Sequence, residues 1–321
     1  MSSNIKGNKL LYNSYNIDMY IRTNPILGKL FNPLVRFCEW FGTCYPTTFV
    51  KIRYFARFHK CLDLKNPKTL NEKILYLSLC TDTSKWTLYA DKYRVRDYIK
   101  ELGLGDSLVK LYGKWDKAKD CNFAELPNQF VLKSNHGSGD VVIVKDKSKI
   151  DEVAVKKKFE QELNKPYGAL EGGLHYMRIK PCLIAEELLD IKKQPIPSSS
   201  LIDYKIWCIN GTPRYIWICL NRRNDGMENC LYDINWNDCS HYLVYNDHYR
   251  HPAEKLPKPK CLDRMLDMAK TISNGLPVLR CDFYIVDNKV YFGEMTLTST
   301  GGMMTNYTDE FQNMMGAEIK L

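Results

Sequence analysis

The sequence contains no apolar run near the roughly 18 to 20 residues that a membrane-spanning helix needs, so it predicts no such helix. Its first residues, MSSNIKGNKLLYNSYN, lack the apolar core of a secretory signal peptide, which indicates a protein that stays in the cytoplasm. Internal repeats and low-complexity tracts are also absent. With 321 residues, 45% of them hydrophobic, the chain can fill the core of one large domain or of two to three small ones.

None of the twelve cysteines belongs to a CxxC pair, and His241, close to Cys239, has no further ligand at metal-site spacing. Scattered cysteines in an unexported chain are typical of reduced residues that pack as small apolar side chains. Cys208, Cys219 and Cys281 lie in apolar, strand-like runs, which fits this interpretation. The sequence therefore predicts neither a disulfide framework nor a zinc site.

Acidic residues are in the minority, because 46 Lys and Arg face 37 Asp and Glu, for a formal net charge of +9. This excess favours an anionic partner such as a polyphosphate, an acidic substrate or an anionic membrane surface. The sequence has no zinc finger, RNA-binding signature or basic-region heptad, and its basic residues are spread along the chain. We therefore expect no nucleic-acid partner.

The N-terminal region, residues 1–65, is rich in aromatic and basic residues. Apolar residues recur at helical intervals on both sides of Pro46, which predicts helices that pack on the rest of the protein. The same composition suits a surface that rests on a membrane or on a membrane-bound partner enzyme. The sequence leaves both interpretations open.

Helix and strand patterns alternate irregularly after this region. Thr69 and Glu72 form a capping-box sequence in front of a helix, and Asn210-Gly211 is the strongest hairpin signal in the chain. Short strands separated by turns begin near residue 107. Further helices are predicted over residues 88–102, 151–163 and 259–274. The pattern predicts an α+β fold dominated by antiparallel hairpins rather than a Rossmann alternation.

The stretch VLKSNHGSGD, residues 131–140, places a lysine and a glycine-rich loop between two strands. Glycines let backbone N–H groups approach a polyphosphate closely, and Lys133 supplies a compact positive charge. The GxxxxGK[ST] pattern is absent, so this is not a Walker loop. A plain hairpin turn is an equal alternative, and His136 is either a ligand contact or a histidine that faces solvent.

The stretch RCDFYIVDNKVYFGEMT, residues 280–296, places carboxylates inside apolar strands. Because a buried carboxylate is costly unless it is paired or bound to a metal, Asp282 and Glu294 are candidate Mg²⁺ ligands. A two-residue turn at residues 287–288 would put Glu294 on the other face. A three-residue loop or a bulge would bring both carboxylates, with Thr296, to one face. A half-exposed hairpin with outward polar residues is the alternative.

Charged residues also follow the intervening strands. Glu186 and Glu187 end an apolar strand, where the chain can present backbone groups to a purine edge. Asp203 and Lys205 alternate onto one face of the next strand. Arg222 follows the returning strand and is a candidate anion clamp.

The order of these features resembles the ATP-grasp superfamily. It is most similar to the TupA-like branch, which is named for teichuronopeptide synthesis and is common in bacterial surface-polysaccharide gene clusters. The similar stretches run from about residue 91 to the C-terminus: DKYRVRDYI (91–99), LPNQFVLKSNHGSGD (126–140), IAEELL (184–189), DYKIWCINGTPRYI (203–216), LYDINW (231–236) and RCDFYIVDNKVYFGEMT (280–296).

The resemblance implies a role for each matching residue. Arg280, Arg222 and Lys205 would be catalytic residues that meet the phosphates or an acyl phosphate. The residues that would hold ATP are Lys92 and Lys133 at the phosphates, the closing loop with His136, Gly137, Ser138 and Gly139, Glu186, Glu187 and Leu189 at adenine, and Asp203 at the ribose.

The resemblance also implies a Mg²⁺ site formed by Asp282, Glu294 and Thr296. D-alanine–D-alanine ligases and glutamate-adding ligases commonly carry an asparagine at the position of Thr296. A hydroxyl can still bind Mg²⁺, but the change puts a second metal ion in doubt. The stretch TSTGGMM also lacks the proline often found in that turn.

The fold that the resemblance implies is the ATP-grasp fold, in which two α+β lobes grip ATP, here with an N-terminal helical extension. The implied parts are the helical region 1–65, an N-terminal α/β part 66–128, a lid lobe with the glycine-rich loop 129–190, and a C-terminal lobe with the metal site 191–321.

The implied activity is that of an ATP-dependent carboxylate–amine ligase that forms ADP and works through an acyl phosphate. The substrates would be a uronic-acid carboxylate of a bacterial surface polysaccharide and an amino-acid amine. We expect the enzyme in the cytoplasm, with the inner face of the membrane and its glycosyltransferases as neighbours.

Other functions stay open at this point. A glycosyltransferase of capsule or O-antigen synthesis is disfavoured because the sequence has no strand-preceded DxD-type motif and no Rossmann pattern. An ATP-dependent sugar kinase would use the same site. A non-catalytic nucleotide-binding scaffold is disfavoured because every expected phosphate and metal group is present.

Overall fold

The computed structural model describes residues 25–321, with side chains from residue 33 onward. The expectation about a signal peptide therefore lies outside the described residues. Nine helices lie in the described part: α1 (Pro25–Cys44), α2 (Pro46–Phe58), α3 (Leu70–Cys80), α4 (Trp86–Ala90), α5 (Val95–Glu101), α6 (Glu152–Leu163), α7 (Leu174–Met177), α8 (Leu262–Ser273) and α9 (Asp309–Glu318).

Ten strands in the same range form two sheets. They are β1 (Leu111–Trp115), β2 (Phe130–Ser134), β3 (Val141–Val144), β4 (Leu183–Glu186), β5 (Asp203–Ile209), β6 (Thr212–Arg223), β7 (Gly226–Asp233), β8 (Tyr249–Arg250), β9 (Val278–Val286) and β10 (Lys289–Thr296). The smaller sheet has the order β1-β4-β2-β3, and the larger has the order β10-β9-β5-β6-β7-β8. Every strand pair except β7 with β8 is antiparallel, which confirms the predicted α+β class.

Each sheet has its own apolar core. The large core covers the six-stranded sheet and includes Ile74 of α3, Met265 of α8 and Phe311 of α9. The second core joins the four-stranded sheet to α6 through Phe130 and Phe159. These separate cores suit the division into lobes, although the boundaries at residues 65, 128 and 190 stay predictions.

The N-terminal helices α1 and α2 extend along one side of these cores. Val50 and Tyr54 of α2 pack with Leu75 and Met303, which fixes the second helix on the protein. Gly42 of α1 contacts residue 169 so closely that a Cβ would lie 2.1 Å from its carbonyl oxygen. The predicted helical region around Pro46 is thus present in the described residues, and no helix there or elsewhere in residues 25–321 is long and apolar enough to span a membrane.

The predicted helix over residues 88–102 is wrong, because two short helices, α4 and α5, occupy this range. Asp91, which is 2% exposed, separates them. Its Oδ1 accepts hydrogen bonds from the backbone N–H groups of Tyr93 and Arg94 at 2.9 and 3.1 Å. A side chain that binds the following N–H groups competes with a continuous helix and starts a new one.

Other local predictions are confirmed. Thr69 and Glu72 form both hydrogen bonds of a capping box at the start of α3. Asn210 and Gly211 have φ values of 48° and 74°, the left-handed conformations that a tight hairpin turn needs. All twelve cysteines lie in the described part, and none forms a disulfide.

The register of the β9–β10 hairpin, which the sequence left open, is set by a bulge. The turn has two residues, Asp287 and Asn288, with φ values of 54° and 57°. The register then shifts by one residue between Phe292 and Glu294, so that Glu294 pairs with Asp282. The bulged residue is Gly293, where a Cβ would lie 2.9 Å from the carbonyl oxygen of Asp282.

Candidate functional site

One row of charged residues crosses three neighbouring strands of the six-stranded sheet. Lys205 on β5 is the register partner of Asp282 on β9, and Asp282 is the partner of Glu294 on β10. Residues two positions away along each strand share the same face. That face therefore also carries Asp203, Arg280 and Thr296.

Arg280 lies at the centre of this face, where its guanidinium is buried. Its Nε and Nη2 donate to Asp282 Oδ1 and Oδ2 at 2.7 and 2.8 Å, a bidentate pair. Nη1 donates to Ser299 Oγ at 2.6 Å, and Nη2 also donates to Thr296 Oγ1 at 3.0 Å. Burial lowers the pKa of Arg280, but the charge of Asp282 outweighs burial and raises it. The guanidinium is thus a fixed cation in a fixed orientation.

Glu294 is the more accessible of the two carboxylates, with 37% of its side chain exposed. Its Oε1 accepts a 2.7 Å hydrogen bond from Thr296, and Lys92 Nζ lies 3.9 Å from its Oε2. Burial raises the pKa of Glu294, but Lys92, Lys205 and Arg280 outweigh it and lower the pKa to about 2. Glu294 is therefore ionised at neutral pH, ready to bind a cation.

Lys205 and Arg222 surround a second carboxylate, that of Asp203. Lys205 Nζ donates to Asp203 Oδ1 at 3.2 Å and also contacts Asp282, while Arg222 Nη2 lies 2.5 Å from Asp203 Oδ2. Burial lowers the pKa of Lys205, but the charges of Asp203 and Asp282 outweigh burial and raise the pKa above its usual value. The ammonium group therefore stays charged. The three predicted catalytic residues, including Arg280, are therefore brought together around two aspartates.

The glycine-rich loop between β2 and β3 folds back on itself. Ser134 Oγ donates to Asp140 Oδ2 at 2.9 Å and accepts from the N–H of Gly137 at 3.2 Å. A Cβ at Gly137 would lie 1.6 Å from Asp140 Oδ2, so a larger residue there would displace the Asp140 carboxylate and break its bond to Ser134. Gly139, with φ of 82°, and Ser138 form the exposed tip. The loop is thus preshaped, with its tip accessible to a ligand.

The interpretation of His136 as a histidine that faces solvent is wrong, because its side chain is only 2% exposed. The loop turns over it at Gly137, and its ring meets the ring of Tyr167 edge-on, with centroids 6.3 Å apart. Burial lowers the pKa of His136, so the ring is neutral at pH 7. His136 supports the loop from beneath, and its contact with nucleotide stays a prediction.

Lys92 connects the two sheets. Its Nζ donates to the carbonyl oxygen of Gly137 at 2.5 Å and lies near Glu294 on the other sheet. Its backbone N–H donates to the carbonyl oxygen of Asn135 at 3.0 Å. Burial lowers the pKa of Lys92 below its usual value, and the charge of Glu294 offsets only part of this effect. A cation between the loop and the carboxylates is well placed for the terminal phosphate of a nucleotide.

Lys133 on β2 and Glu186 on β4 are diagonal neighbours, two register positions apart, and their side chains contact at 2.5 Å. Arg96 of α5, which the sequence interpretation missed, also contacts Glu186 at 3.1 Å. These three residues line a small cavity that Tyr284, Phe292 and Gly293 of the large sheet also line. A cleft between the two sheets thus carries both charged and apolar groups.

The remaining predicted adenine contacts lie beside this cavity. The backbone N–H of Glu187 donates to the carbonyl oxygen of Lys110 at 2.9 Å, so this group is already engaged. Leu189 is buried in a small apolar cluster with Val109 and Val286. An apolar patch beside a charged cleft suits a planar base, but the adenine contact itself stays a prediction.

Asp91 and Asn135, also missed from the sequence, hold Lys92 in place. Asn135 Nδ2 donates to Asp91 Oδ1 at 3.0 Å and to the carbonyl oxygen of Lys180 at 3.0 Å, and its Oδ1 accepts from the N–H of Cys182 at 2.7 Å. Both residues belong to stretches that carry the family resemblance, DKYRVRDYI and VLKSNHGSGD. In the sequence, each of the two is a polar residue within two positions of a lysine. Periodicity alone does not distinguish such a residue from one on the surface.

The carboxylates suit a Mg²⁺ ion that arrives with phosphates. Mg²⁺ usually keeps one or two protein carboxylates and completes its shell with phosphate oxygens and water. Asp282 and Glu294 are register partners on neighbouring strands, and the Thr296 hydroxyl lies beside them. The two carboxylates supply that number of ligands. Among residues 33–321 no group of three or more His, Cys, Asp or Glu side chains forms a metal site without such help.

A family profile described as TupA-like ATPgrasp matches residues 72–320. The chain belongs to the TupA-like ATP-grasp family. The match covers every residue that forms the site described above, and membership in this family assigns the two-sheet structure to the ATP-grasp fold. A search of curated protein sequences found no match to this chain.

Several solved structures of ligases are similar to this member of the TupA-like family. D-alanine–D-alanine ligase from Bacillus anthracis complexed with ATP has 16% identity over 65% of this chain and 54% of its own, with a TM-score of 0.37. The Helicobacter pylori D-alanine–D-alanine ligase has 17% identity over 73% and 59%, with a TM-score of 0.39. L-amino acid ligase from Bacillus licheniformis has 14% identity over 72% and 49%, with a TM-score of 0.41. The chain therefore spans about half to three fifths of the length of these enzymes.

Proposed function

We propose that the protein is an ATP-dependent carboxylate–amine ligase that forms ADP through an acyl phosphate. The observation that carries this proposal is the position of Lys92, which lies between the glycine-rich loop of one sheet and the carboxylate of Glu294 on the other. A triphosphate in this cleft would have cations on both sides and acidic residues for its metal ion.

The chemistry follows from these groups. An oxygen of the substrate carboxylate attacks the γ-phosphorus of ATP, the bond to the β-phosphate oxygen breaks, and ADP leaves. Lys92, Arg280 and Lys205 offset the charge that develops on the transferred group. Mg²⁺ held by Asp282 and Glu294 would neutralise phosphate charge. An amine then attacks the acyl carbon, loses a proton and displaces phosphate to leave an amide.

We further propose that the carboxylate belongs to a uronic-acid unit of a bacterial surface glycan and that the amine belongs to an amino acid. The support is the polysaccharide context that the family resemblance implies, together with the net charge of +9. A uronate needs cationic partners, and Arg222, whose side chain is 43% exposed, lies beside the buried cations Lys205 and Arg280.

The test is an ADP-release screen of uronic-acid sugars against amino acids, with product analysis by mass spectrometry. The expected result is Mg²⁺-dependent ADP formation only when both substrates are present, with an amide product. ADP formation with a sugar alone and a phosphorylated hydroxyl as product would instead identify a kinase. Consumption of a sugar nucleotide without ATP would identify a glycosyltransferase.

We also propose that this enzyme works at the inner face of the membrane, near membrane-bound glycosyltransferases, with α1 and α2 as its docking surface. All four exposed aromatic side chains in the described part lie on or between these helices: Phe37, Trp40, Tyr45 and Phe55. The basic residues Arg36 and Lys51 are exposed beside them. Aromatic rings and basic side chains on one surface suit an anionic lipid headgroup region.

A vesicle flotation assay tests this surface. Wild-type protein is expected to float with phosphatidylglycerol vesicles and to float less with phosphatidylcholine vesicles. Trp40→Ser with Phe55→Ser should abolish flotation. Ile143→Ser with Val153→Ser, which removes apolar side chains elsewhere that are at least as exposed, should not change it. Equal flotation of both double variants would refute the docking role.

A further inference from the structure

Buried N–H groups without an acceptor gather around the loop that follows β10. Among the described residues they include Arg53 Nη1, Arg57 Nε, Trp217 Nε1 and Asn306 Nδ2. Leaving such a donor unpaired costs about 1–3 kcal/mol, so native proteins rarely leave several in one region. All four are donors, and the group that would satisfy them is therefore an acceptor, such as the oxygen of an anion.

Two of these donors belong to arginines one turn apart on α2. Arg57 Nη2 donates to Thr305 Oγ1 at 3.3 Å, and Glu171 Oε1 lies 4.0 Å from Arg53 Nη1, beyond hydrogen-bond range. Burial lowers the pKa of Arg57, and the neighbouring charge of Arg53 lowers it further. The pair is thus a half-buried concentration of positive charge, with the carboxylate of Glu171 at ion-pair distance from Arg53 but outside hydrogen-bond range.

The loop connects this arginine pair to the reaction centre. At its beginning, Ser299 accepts the 2.6 Å hydrogen bond from Arg280, and six residues later Thr305 meets Arg57. Trp217 lies between Arg280 and Tyr307. The guanidinium carbon of Arg280 is 5.9 Å from the Trp217 ring, and the ring of Tyr307 is 5.9 Å from it on the loop side.

We propose that Arg53 and Arg57, with the amide of Asn306, form a subsite for a second oxyanion of a substrate, distinct from the carboxylate that is phosphorylated. The proposal rests on the ligase function proposed above. Two groups have the required chemistry, namely the α-carboxylate of the amino acid and a phosphate on the carrier of the glycan. Because the arginines lie on the N-terminal helices, this part of the chain would select substrates as well as support the core.

The subsite can be tested by ligand-observed NMR on the full-length protein. The cleft is first saturated with Mg²⁺ and AMP-PNP, a non-hydrolysable ATP analogue. The residues proposed to bind the ATP phosphates are then occupied. Inorganic phosphate and alanine are then titrated separately at millimolar concentrations and constant ionic strength, which distinguishes the phosphate source from the carboxylate source. Wild-type protein is expected to bind at least one of these two probes.

Arg57→Gln and Arg53→Gln should each weaken that binding by about tenfold, because each removes charge-assisted hydrogen bonds. Lys68→Gln, which removes the same charge from an exposed side chain, should leave it unchanged. Thermal melting and AMP-PNP affinity establish that each variant is folded, and the more exposed Arg53 provides the result if the Arg57 variant is not.

Failure of both probes to bind the AMP-PNP complex would overturn the subsite, and so would unchanged binding in both arginine variants. Neither result depends on turnover. A protein that binds the probe through Arg57 but never releases ADP would keep the subsite and refute the ligase function instead.

Discussion

Replacing Asp282 by asparagine is expected to destabilise the fold as well as the candidate metal site. Asp282 is 1% exposed, and both of its oxygens receive charge-assisted hydrogen bonds from Arg280, at 2.7 and 2.8 Å, with Lys205 as a third donor. Asparagine keeps one oxygen, turns an NH₂ group toward these donors, and leaves two buried cations short of a partner. Removing one member of a buried ion pair costs about 3–5 kcal/mol.

The assay is urea unfolding followed by tryptophan fluorescence. Against a typical stability of about 5–15 kcal/mol and a urea dependence of about 3 kcal/mol per molar, the loss should lower the midpoint by about 1 M or more. Glu294→Gln is the matched comparison, because its side chain is 37% exposed and solvent screens its charge, so this change should lower the midpoint clearly less than Asp282→Asn does.

A second substitution separates charge from packing. Lys205→Met removes one of the cations that Asp282 neutralises, so the double variant should lose at least about 1 kcal/mol less than the sum of the single variants. A midpoint for Asp282→Asn within experimental error of the wild type, or strict additivity in the double variant, would refute this account of the site. Loss of activity in the Asp282 variant is informative only after its folded fraction has been measured.

Three further predictions follow from the same contacts. Gly137→Ala should weaken AMP-PNP binding by at least about tenfold in calorimetry, because its Cβ would lie 1.6 Å from Asp140 Oδ2; wild-type affinity would contradict the described loop. Asn135→Ala removes bonds to Asp91, Lys180 and Cys182 and should lower the free energy of unfolding by about 2–3 kcal/mol, as urea titration can check. The pKa of Glu294 is depressed from 4.5 to about 2, so its contribution to stability should be complete above pH 4.5 and be lost as the pH falls toward 2. Glu294→Gln should flatten that part of the urea midpoint plotted against pH, and an unchanged slope would contradict the depressed pKa.

The sequence predicted those features that depend on neighbouring residues. The capping box at Thr69 and Glu72 and the Asn210-Gly211 turn follow from backbone chemistry within four residues, and both are present. The break at Asp91 did not follow, because the buried position of that aspartate depends on Asn135, which is 44 residues away. Helical periodicity on either side of Asp91 gave no sign of this contact.

The sequence indicated a set of candidate site residues but not their arrangement. The motif order identified Lys133, Glu186, Asp282 and Glu294, and the structure distributes them over two sheets as the family resemblance implied. Arg96 was missed because an arginine on a short helix looks like a surface residue until Glu186 is placed beside it. Pairing across a sheet is set by packing of the whole lobe, which local patterns do not contain.

The single-residue bulge at Gly293 decides on which face of the sheet Glu294 lies, and therefore whether the metal site can form. Side chains alternate along a strand, so a hairpin with a two-residue turn and no bulge would place Glu294 on the face opposite to Asp282. At the spacing that separates these two acids, either a three-residue turn or a one-residue bulge restores the pairing, whereas both together cancel it. The number of residues between the two acids therefore has to be judged together with the turn length. A family member with the same spacing between the two acids and a three-residue turn should have lost the bulge, and with it the need for glycine at that position.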